Sequence, residues 1–235
     1  MPGTFITFEG IDGSGKSTQL RLLGNFLRAN GYDALLTREP GGTQLGLRLR
    51  AALLDAMEEV DPLTELLVFA ADRAQHVRRL VRPALEAGKL VISDRYADAT
   101  VAYQGAGRGF STELISQIVQ LATEGLKPDL TLLFDLRIEE STHRTARRST
   151  SKTGTRISRD RLDIENADFH ARVRDAYLQI ALAEPERVKL IDTSGPVEQT
   201  QERVKEIIIP FLEHRGMHRT ERGSAGSNFQ RGALT

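Results

Sequence analysis

Cysteine is absent from all 235 residues. Neither a disulfide framework nor a thiolate metal site is therefore available, and secretion gains no support. Net charge is absent as well: 32 basic side chains balance 32 acidic ones, which gives no general electrostatic footprint for nucleic acid. Long apolar runs are missing too. The longest are strand-sized, and the start MPGTFITFEG lacks a basic segment followed by an extended apolar one, so neither a membrane span nor a signal peptide is expected. These absences are compatible with a reducing cytoplasm and leave no membrane or nucleic-acid partner to expect.

What is present is ordinary globular material, 40% apolar and 27% charged, in a length that suits one α/β domain or two small ones. Thr4–Phe8 is short and rich in β-branched and aromatic residues, and Lys16–Arg28 then sets Leu20, Leu23 and Leu27 at helical spacing. Asn30–Gly31 ends that helix, and Ala34–Thr37 is the next apolar run. The alternation continues with a helix from about Leu63 to Ala87 and strand Leu90–Ser93. Helix Leu114–Ala122, strand Leu130–Leu136 and a long helical region to about Glu184 follow. Strand Val188–Ile191 and a last helix, Val197–Glu213, complete the pattern. Strands separated by helices predict a five-stranded parallel sheet covered on both faces, in one domain spanning 1–213. From His214 to Thr235 periodicity gives way to Gly, Ser and Arg, the composition expected of a disordered tail.

The decapeptide GIDGSGKSTQ, Gly10 to Gln19, follows the first strand directly. Gly10-x4-Gly15-Lys16-Ser17 fits a phosphate-binding loop, in which successive backbone N–H groups converge on phosphate oxygens and a helix N-terminus adds its positive end. A Cβ would block that wrap. Gly10, Ile11, Asp12, Gly13, Ser14, Gly15, Lys16, Ser17 and Thr18 are therefore the expected phosphate-binding segment for a nucleotide. Lys16 would bridge the β- and γ-phosphates and the Ser17 hydroxyl would ligate Mg2+. A dinucleotide fingerprint fails, because Thr18 stands where its third glycine belongs. The loop does not identify the acceptor, since switches, motors and small-molecule kinases share it. A guanine-selecting Asn-Lys-x-Asp does not occur in the sequence, and the short chain favours a kinase of a small substrate.

Four further clusters fall where βα loops gather at the carboxyl edge of such a sheet, the edge where ligands bind. They are Arg38-Glu39-Pro40-Gly41-Gly42-Thr43, Phe69 with Arg73, Asp94-Arg95-Tyr96 and Tyr103-Gln104-Gly105. Phe69 and Arg73, four apart, share a helix face, so a ring can stack a base beside a guanidinium that holds a phosphate. For Phe69 alone, core packing is the competing reading. Asp94 and Arg95 directly follow a strand, where the carboxylate can reach a Mg2+ shell and the arginine can clamp a phosphoryl acceptor; a surface ion pair is the alternative.

Taken together, FEGIDGSGKST, TREPGGT, SDRY and AYQG resemble thymidylate kinase, the family that phosphorylates dTMP with ATP, from about Phe5 to the last helix. That resemblance implies the three-layer P-loop nucleoside monophosphate kinase fold, ATP as phosphoryl donor, dTMP as acceptor, and Mg2+ on Ser17 and Asp94. It implies a homodimer as well. Arg38, Glu39 and Pro40 would line the acceptor cleft, Phe69 stack the base, and Arg73 and Arg95 grip the acceptor phosphate. Thr100, Tyr103 and Gln104 would sense the sugar and the base edge. Asp12 would engage the acceptor's 3′-hydroxyl and the phosphate-gripping arginine; an Asx hydrogen bond that orients the loop is the equal alternative.

Arg144, Arg147, Arg148, Lys152, Arg156, Arg159 and Arg161 form a dense basic stretch broken by Ser, Thr and Gly, expected as a lid over about 144–162. A solvated loop is the other reading by charge alone. With Gly13-Ser14 leaving no arginine in the phosphate loop, the chain resembles the bacterial type, whose catalytic arginines come from the lid, here one or more of Arg147, Arg156 and Arg161. The Ser149–Thr155 stretch is longer than that pattern. Two other functions stay open on the residues themselves: another pyrimidine monophosphate kinase, acting on UMP or several nucleotides, and a nucleotide sensor that binds without transfer.

Overall fold

In the computed structural model, β1 (Thr4–Glu9) is buried along its whole length, as the middle strand of a sheet covered on both faces must be. The structure describes residues 3–55, 59–149, 162 and 165–217, with only the backbone for 147–149. Around β1 run β2 (Ala34–Arg38), β3 (Leu90–Asp94), β4 (Leu130–Asp135) and β5 (Val188–Asp192), in the order β2-β3-β1-β4-β5. Every pairing is parallel, with Phe8 beside Asp94 and Glu9 beside Leu133. The chain leaves β1 toward one side of the sheet and later fills the other, so the crevice at its carboxyl end lies at a topological switch point.

Alternation along β1 sorts the two layers. Ile6 and Phe8 pack with Leu20, Leu23 and Leu27 of α1 (Lys16–Ala29) and with Val204, Ile208 and Leu212 of α9 (Val197–His214). Phe5 and Glu9 face the opposite side. There Phe5 meets Val77, Val81 and Tyr96, while Glu9 meets α8 (Ala167–Ala183) through Tyr177. The expected five parallel strands are all present, with boundaries within one or two residues of those read from the pattern.

The helices depart further from expectation. The helix expected from Leu63 to Ala87 is α3 (Pro62–His76), a wide π-type turn at Val77–Val81, and α4 (Arg82–Glu86), with Pro83 in the first turn of α4. The long helical region before Glu184 divides into α7 (Ile138–Ser149) and α8, whose Asn166 caps the Phe169 N–H. Two elements escaped the sequence reading: α2 (Gln44–Leu54), capped by Thr43, and α5 (Ala97–Thr100) running into a wide helical segment at Val101–Gly107. Between them and β5 lies α6 (Thr112–Thr123). The first residues of the expected tail pack on the domain: His214 ends α9, Arg215 pairs with Asp129 at 2.7 Å, and Met217 packs against the core. Residues 218–235 lie outside the described residues.

Candidate active site

Gly15 enters α1 at φ 96, a left-handed backbone that excludes a side chain without strain, and so the helix N-terminus opens onto the loop. Gly13, at φ 76, lies so close to α7 that a Cβ would stand 2.9 Å from the Ser141 carbonyl oxygen. The Ser141 hydroxyl donates to the Asp12 carbonyl at 2.6 Å and ties α7 to the loop from above. Lys16 is buried, its Nζ donating to the carbonyls of Gly10 and Ile11 at 2.8 Å each. Burial and the neighbouring Arg95 lower its pKa to about 8, against the pull of Asp12, Asp94 and Glu9. A cleft of about 510 Å³ is lined here by Asp12, Gly13, Gly15, Lys16, Ser17, Arg38, Glu39, Arg50, Asp94 and Arg95. Gly10, Ser14 and Thr18 do not line it, and Ile11 turns into the core at 2% exposure.

A second cleft, of about 550 Å³, lies on the far side of Asp12, Glu39, Arg50 and Arg95, which wall both. Phe69, Arg73, Thr100, Tyr103, Gln104, Pro40 and Leu54 line it. Phe69 is therefore at the cleft wall, half-buried, rather than sealed in the core. Neither Phe69 nor Tyr103 sits in a βα loop: α3 carries the first and the wide helical segment after α5 the second.

Arg95 is the joint between the two clefts. Its guanidinium donates to Asp12 Oδ1 at 2.6 Å, to the Tyr103 hydroxyl at 3.0 Å and to the Tyr177 hydroxyl at 3.2 Å. Tyr103 donates in turn to Asp12 Oδ2 at 2.8 Å. Burial raises the Asp12 pKa, but Arg95, Lys16 and the Tyr103 hydroxyl outweigh it and hold the carboxyl well below the usual range. Of the two readings of Asp12, the side-chain contacts thus favour the one that couples it to the arginine, over an Asx bond to its own loop.

Arg73, also buried, donates once from each of its three nitrogens, to Glu39 (2.7 Å), the Thr100 hydroxyl (2.7 Å) and the Tyr96 carbonyl (2.8 Å), and one further N–H remains on each Nη. Glu39 Oε1 also accepts from His76 Nδ1 at 2.7 Å. Burial opposes ionisation of Glu39, and Arg73 and His76 overcome it, so the carboxylate stays charged. Gln104 donates Nε2 to Glu65 at 2.9 Å, which fixes its amide orientation.

Ser17 donates its hydroxyl to Asp94 Oδ2 at 2.5 Å at the phosphate-loop end of the cleft. A hydroxyl and a carboxylate are hard oxygen donors of the kind Mg2+ takes when phosphates and water complete its octahedron. The residues fit the ion. Among the arginines expected of a lid, Arg156 and Arg161 lie outside the described residues, as does the side chain of Arg147. Arg144 is described, and donates to the Thr193 carbonyl at 2.8 Å, joining α7 to the loop after β5. Arg172 and Arg174 on α8 turn to the carbonyls of Ala106 and Gly107 and to Asp135.

Sequence reading missed Arg50, which walls both clefts and donates to the Pro40 carbonyl at 3.2 Å, because α2 itself was missed. Glu9 and Ser141 were missed as well. Glu9 did carry a signal: a carboxylate closing an otherwise apolar, buried strand directly before the phosphate loop.

A family model described as thymidylate kinase matches residues 8–204. The thymidylate kinase of Desulfovibrio desulfuricans is 49% identical over 213 residues, covering 90% of this chain and 98% of that protein. That of Leifsonia xyli subsp. xyli is 50% identical over 198 residues, covering 84% and 90%. The crystal structure of thymidylate kinase from Ehrlichia chaffeensis superposes with a TM-score of 0.70 at 34% identity, covering 89% of this chain and all of that one.

Proposed function

The chain belongs to the thymidylate kinase family, and from that premise we infer that its two clefts carry out one reaction: transfer of the ATP γ-phosphoryl group to dTMP, giving ADP and dTDP. The observation that carries this reading is the shared wall. The phosphate-loop cleft and the cleft that Phe69 lines meet at Asp12, Glu39, Arg50 and Arg95, so two anionic nucleotides bound in them would face each other end to end.

ATP binds with its phosphates in the loop, and Lys16 exchanges the carbonyls of Gly10 and Ile11 for phosphate oxygens. Thymine stacks on Phe69, and the Gln104 orientation imposed by Glu65 leaves its carbonyl oxygen to accept from the ring N3–H. Arg73 and Arg95 hold the acceptor phosphate, and Asp12 keeps Arg95 aimed at it while reaching the sugar hydroxyl. Arg95 also lines the donor cleft, so it follows the phosphoryl group across. No general base is required, because the acceptor phosphate is already an anion near neutral pH. Phosphoryl transfer rests on positioning and on neutralising charge. Ser17 and Asp94 would hold Mg2+, which supplies part of that neutralisation when bound. Lid arginines, Arg147, Arg156 or Arg161 among them, would add the rest on closure.

We expect a cytoplasmic enzyme, where ATP is at hand as the phosphoryl donor. We also expect a homodimer. The exposed Leu63 and Leu67, one turn apart on α3, and Leu121 on the neighbouring α6 support an apolar contact there. Steady-state assays over a panel of nucleoside monophosphates, with Mg2+ and again with chelator, test the reading. The highest kcat/KM is expected for dTMP, with loss of turnover on chelation. Equal turnover of UMP would contradict the assigned acceptor.

A further inference from the structure

Glu9 is fully buried, belongs to neither cleft lining, and has no part in the transfer described above. Its two carboxylate oxygens nevertheless end on the two sides of one residue. Oε1 accepts the backbone N–H of Tyr96 at 2.6 Å, the peptide that immediately follows Arg95. Oε2 accepts the Tyr177 hydroxyl at 2.8 Å, and that hydroxyl accepts from Arg95 Nη1 at 3.2 Å.

Arg95 needs such support because its backbone sits at φ 73, a left-handed conformation that costs a branched or long side chain free energy and persists only where the surroundings over-determine it. Three contacts supply that constraint. The Arg95 N–H donates to the Phe8 carbonyl at 2.9 Å, its own carbonyl accepts from Ser93 Oγ at 2.8 Å, and the next N–H goes to Glu9. From that left-handed turn the guanidinium reaches Asp12, in the loop that follows β1, at 2.6 Å. Glu9 can reach both ends of Arg95 because it occupies the last position of β1, on the sheet face that α8 covers.

We propose that Glu9 is a positioning residue for the transfer: it holds Arg95 in its left-handed turn through Tyr96 N–H and aims the guanidinium at the acceptor phosphate through Tyr177. The proposal rests on the reading of Arg95 as the acceptor grip. In Glu9→Gln the amide oxygen keeps the Tyr96 N–H, but the amide nitrogen becomes a second donor competing with Arg95 for the Tyr177 oxygen. Tyr177→Phe removes the guanidinium support alone and leaves the backbone support intact.

The test is steady-state kinetics on both single variants, the double variant and Arg95→Ala, each in saturating Mg2+ with dTMP and ATP varied in turn. Each single variant is expected to raise the KM for dTMP about tenfold, the scale of one hydrogen bond to a charged group, while the KM for ATP stays within about twofold. The double variant should be no worse than the more damaged single one, because both cut the same link. A dTMP KM within about twofold of the parent in both single variants would overturn the proposal, as would equal rises in both KM values or additive losses in the double variant. Arg95→Ala separates the two levels. If it raises the dTMP KM while the Glu9 and Tyr177 variants do not, the positioning role alone falls; if it too leaves dTMP unaffected, the acceptor assignment falls with it.

Discussion

The donor and acceptor halves of this site are built by opposite means. The proposed donor cradle centres on one contiguous stretch, Asp12 to Ser17, where the expected binding groups are backbone amides and one lysine. The second cleft gathers side chains from the phosphate loop, the segment after β2, α2, α3, the turn after β3 and the segment after α5, and two of its arginines, Arg73 and Arg95, are paired with Glu39 and Asp12. Main-chain recognition needs only a loop shape. Side-chain recognition needs a supporting shell, and here that shell is Glu9, Tyr177, Glu39 and His76.

The largest expected break in this comparison is on the donor side, where few groups share the work. Lys16→Ala should lower kcat/KM by about a hundred- to a thousandfold, the range seen when a preorganised charge stabiliser is removed, with the circular dichroism of the fold unchanged. Near-parental turnover would take Lys16 out of the mechanism. On the acceptor side, Phe69→Ala should weaken dTMP by about ten- to a hundredfold, the energy of one stacked base, while ATP stays within about twofold. Equal effects on both nucleotides would contradict stacking.

A titration sharpens the contrast further. With its pKa lowered to about 8, Lys16 loses its proton in the free protein as pH rises through that value, and an uncharged amine cannot hold phosphate. ATP affinity should therefore be flat below about pH 7 and fall above 8, with proton uptake on binding near pH 8 in calorimetry across buffers of different ionisation enthalpy. An affinity unchanged from pH 7 to 9 would refute it.

The smallest effect is a stability one. Burial, then Asp98, push Glu9 up to about 7, against Arg95 and its two hydrogen bonds, so the folded protein binds more protons than the unfolded chain between about pH 4.5 and 7. Its contribution is complete below the unfolded value and is lost as pH rises through the folded one. Glu9→Gln imitates the protonated group, so its melting temperature relative to the parent should climb by a few degrees from pH 5 to 8. Asp72, raised to about 6 by burial and by Glu39, is common to both proteins and cancels in that difference. The same substitution that weakens acceptor handling thus relieves the fold, and a difference constant with pH would contradict the buried-charge assignment.

How much of this was legible in the sequence follows from the same contrast. The phosphate loop could be read because its function is local: glycines, lysine and hydroxyl at fixed spacing between a strand and a helix. The parallel sheet could be read because its strands are short apolar runs separated by helical spacing. Phe69, Arg73 and Arg95 were found as residue types in suggestive places, yet their partners are tens of positions away, as Arg73 is from Glu39 and Asp12 from Arg95. Arg50 stayed hidden because Gln44–Leu54 mixes Arg and Gly into its helical period. The break between α3 and α4 stayed hidden because the wide turn Val77–Val81 keeps an apolar pattern across it.

The most direct measurement is a crystal structure with thymidine and adenosine joined through a five-phosphate chain. Thymine should lie on Phe69, adenosine beyond the Gly10–Ser17 loop, and the phosphates should cross between the clefts under Arg95. A thymidine bound away from Phe69, Arg73 and Arg95 would contradict the end-to-end meeting of two nucleotides on which the proposed reaction depends.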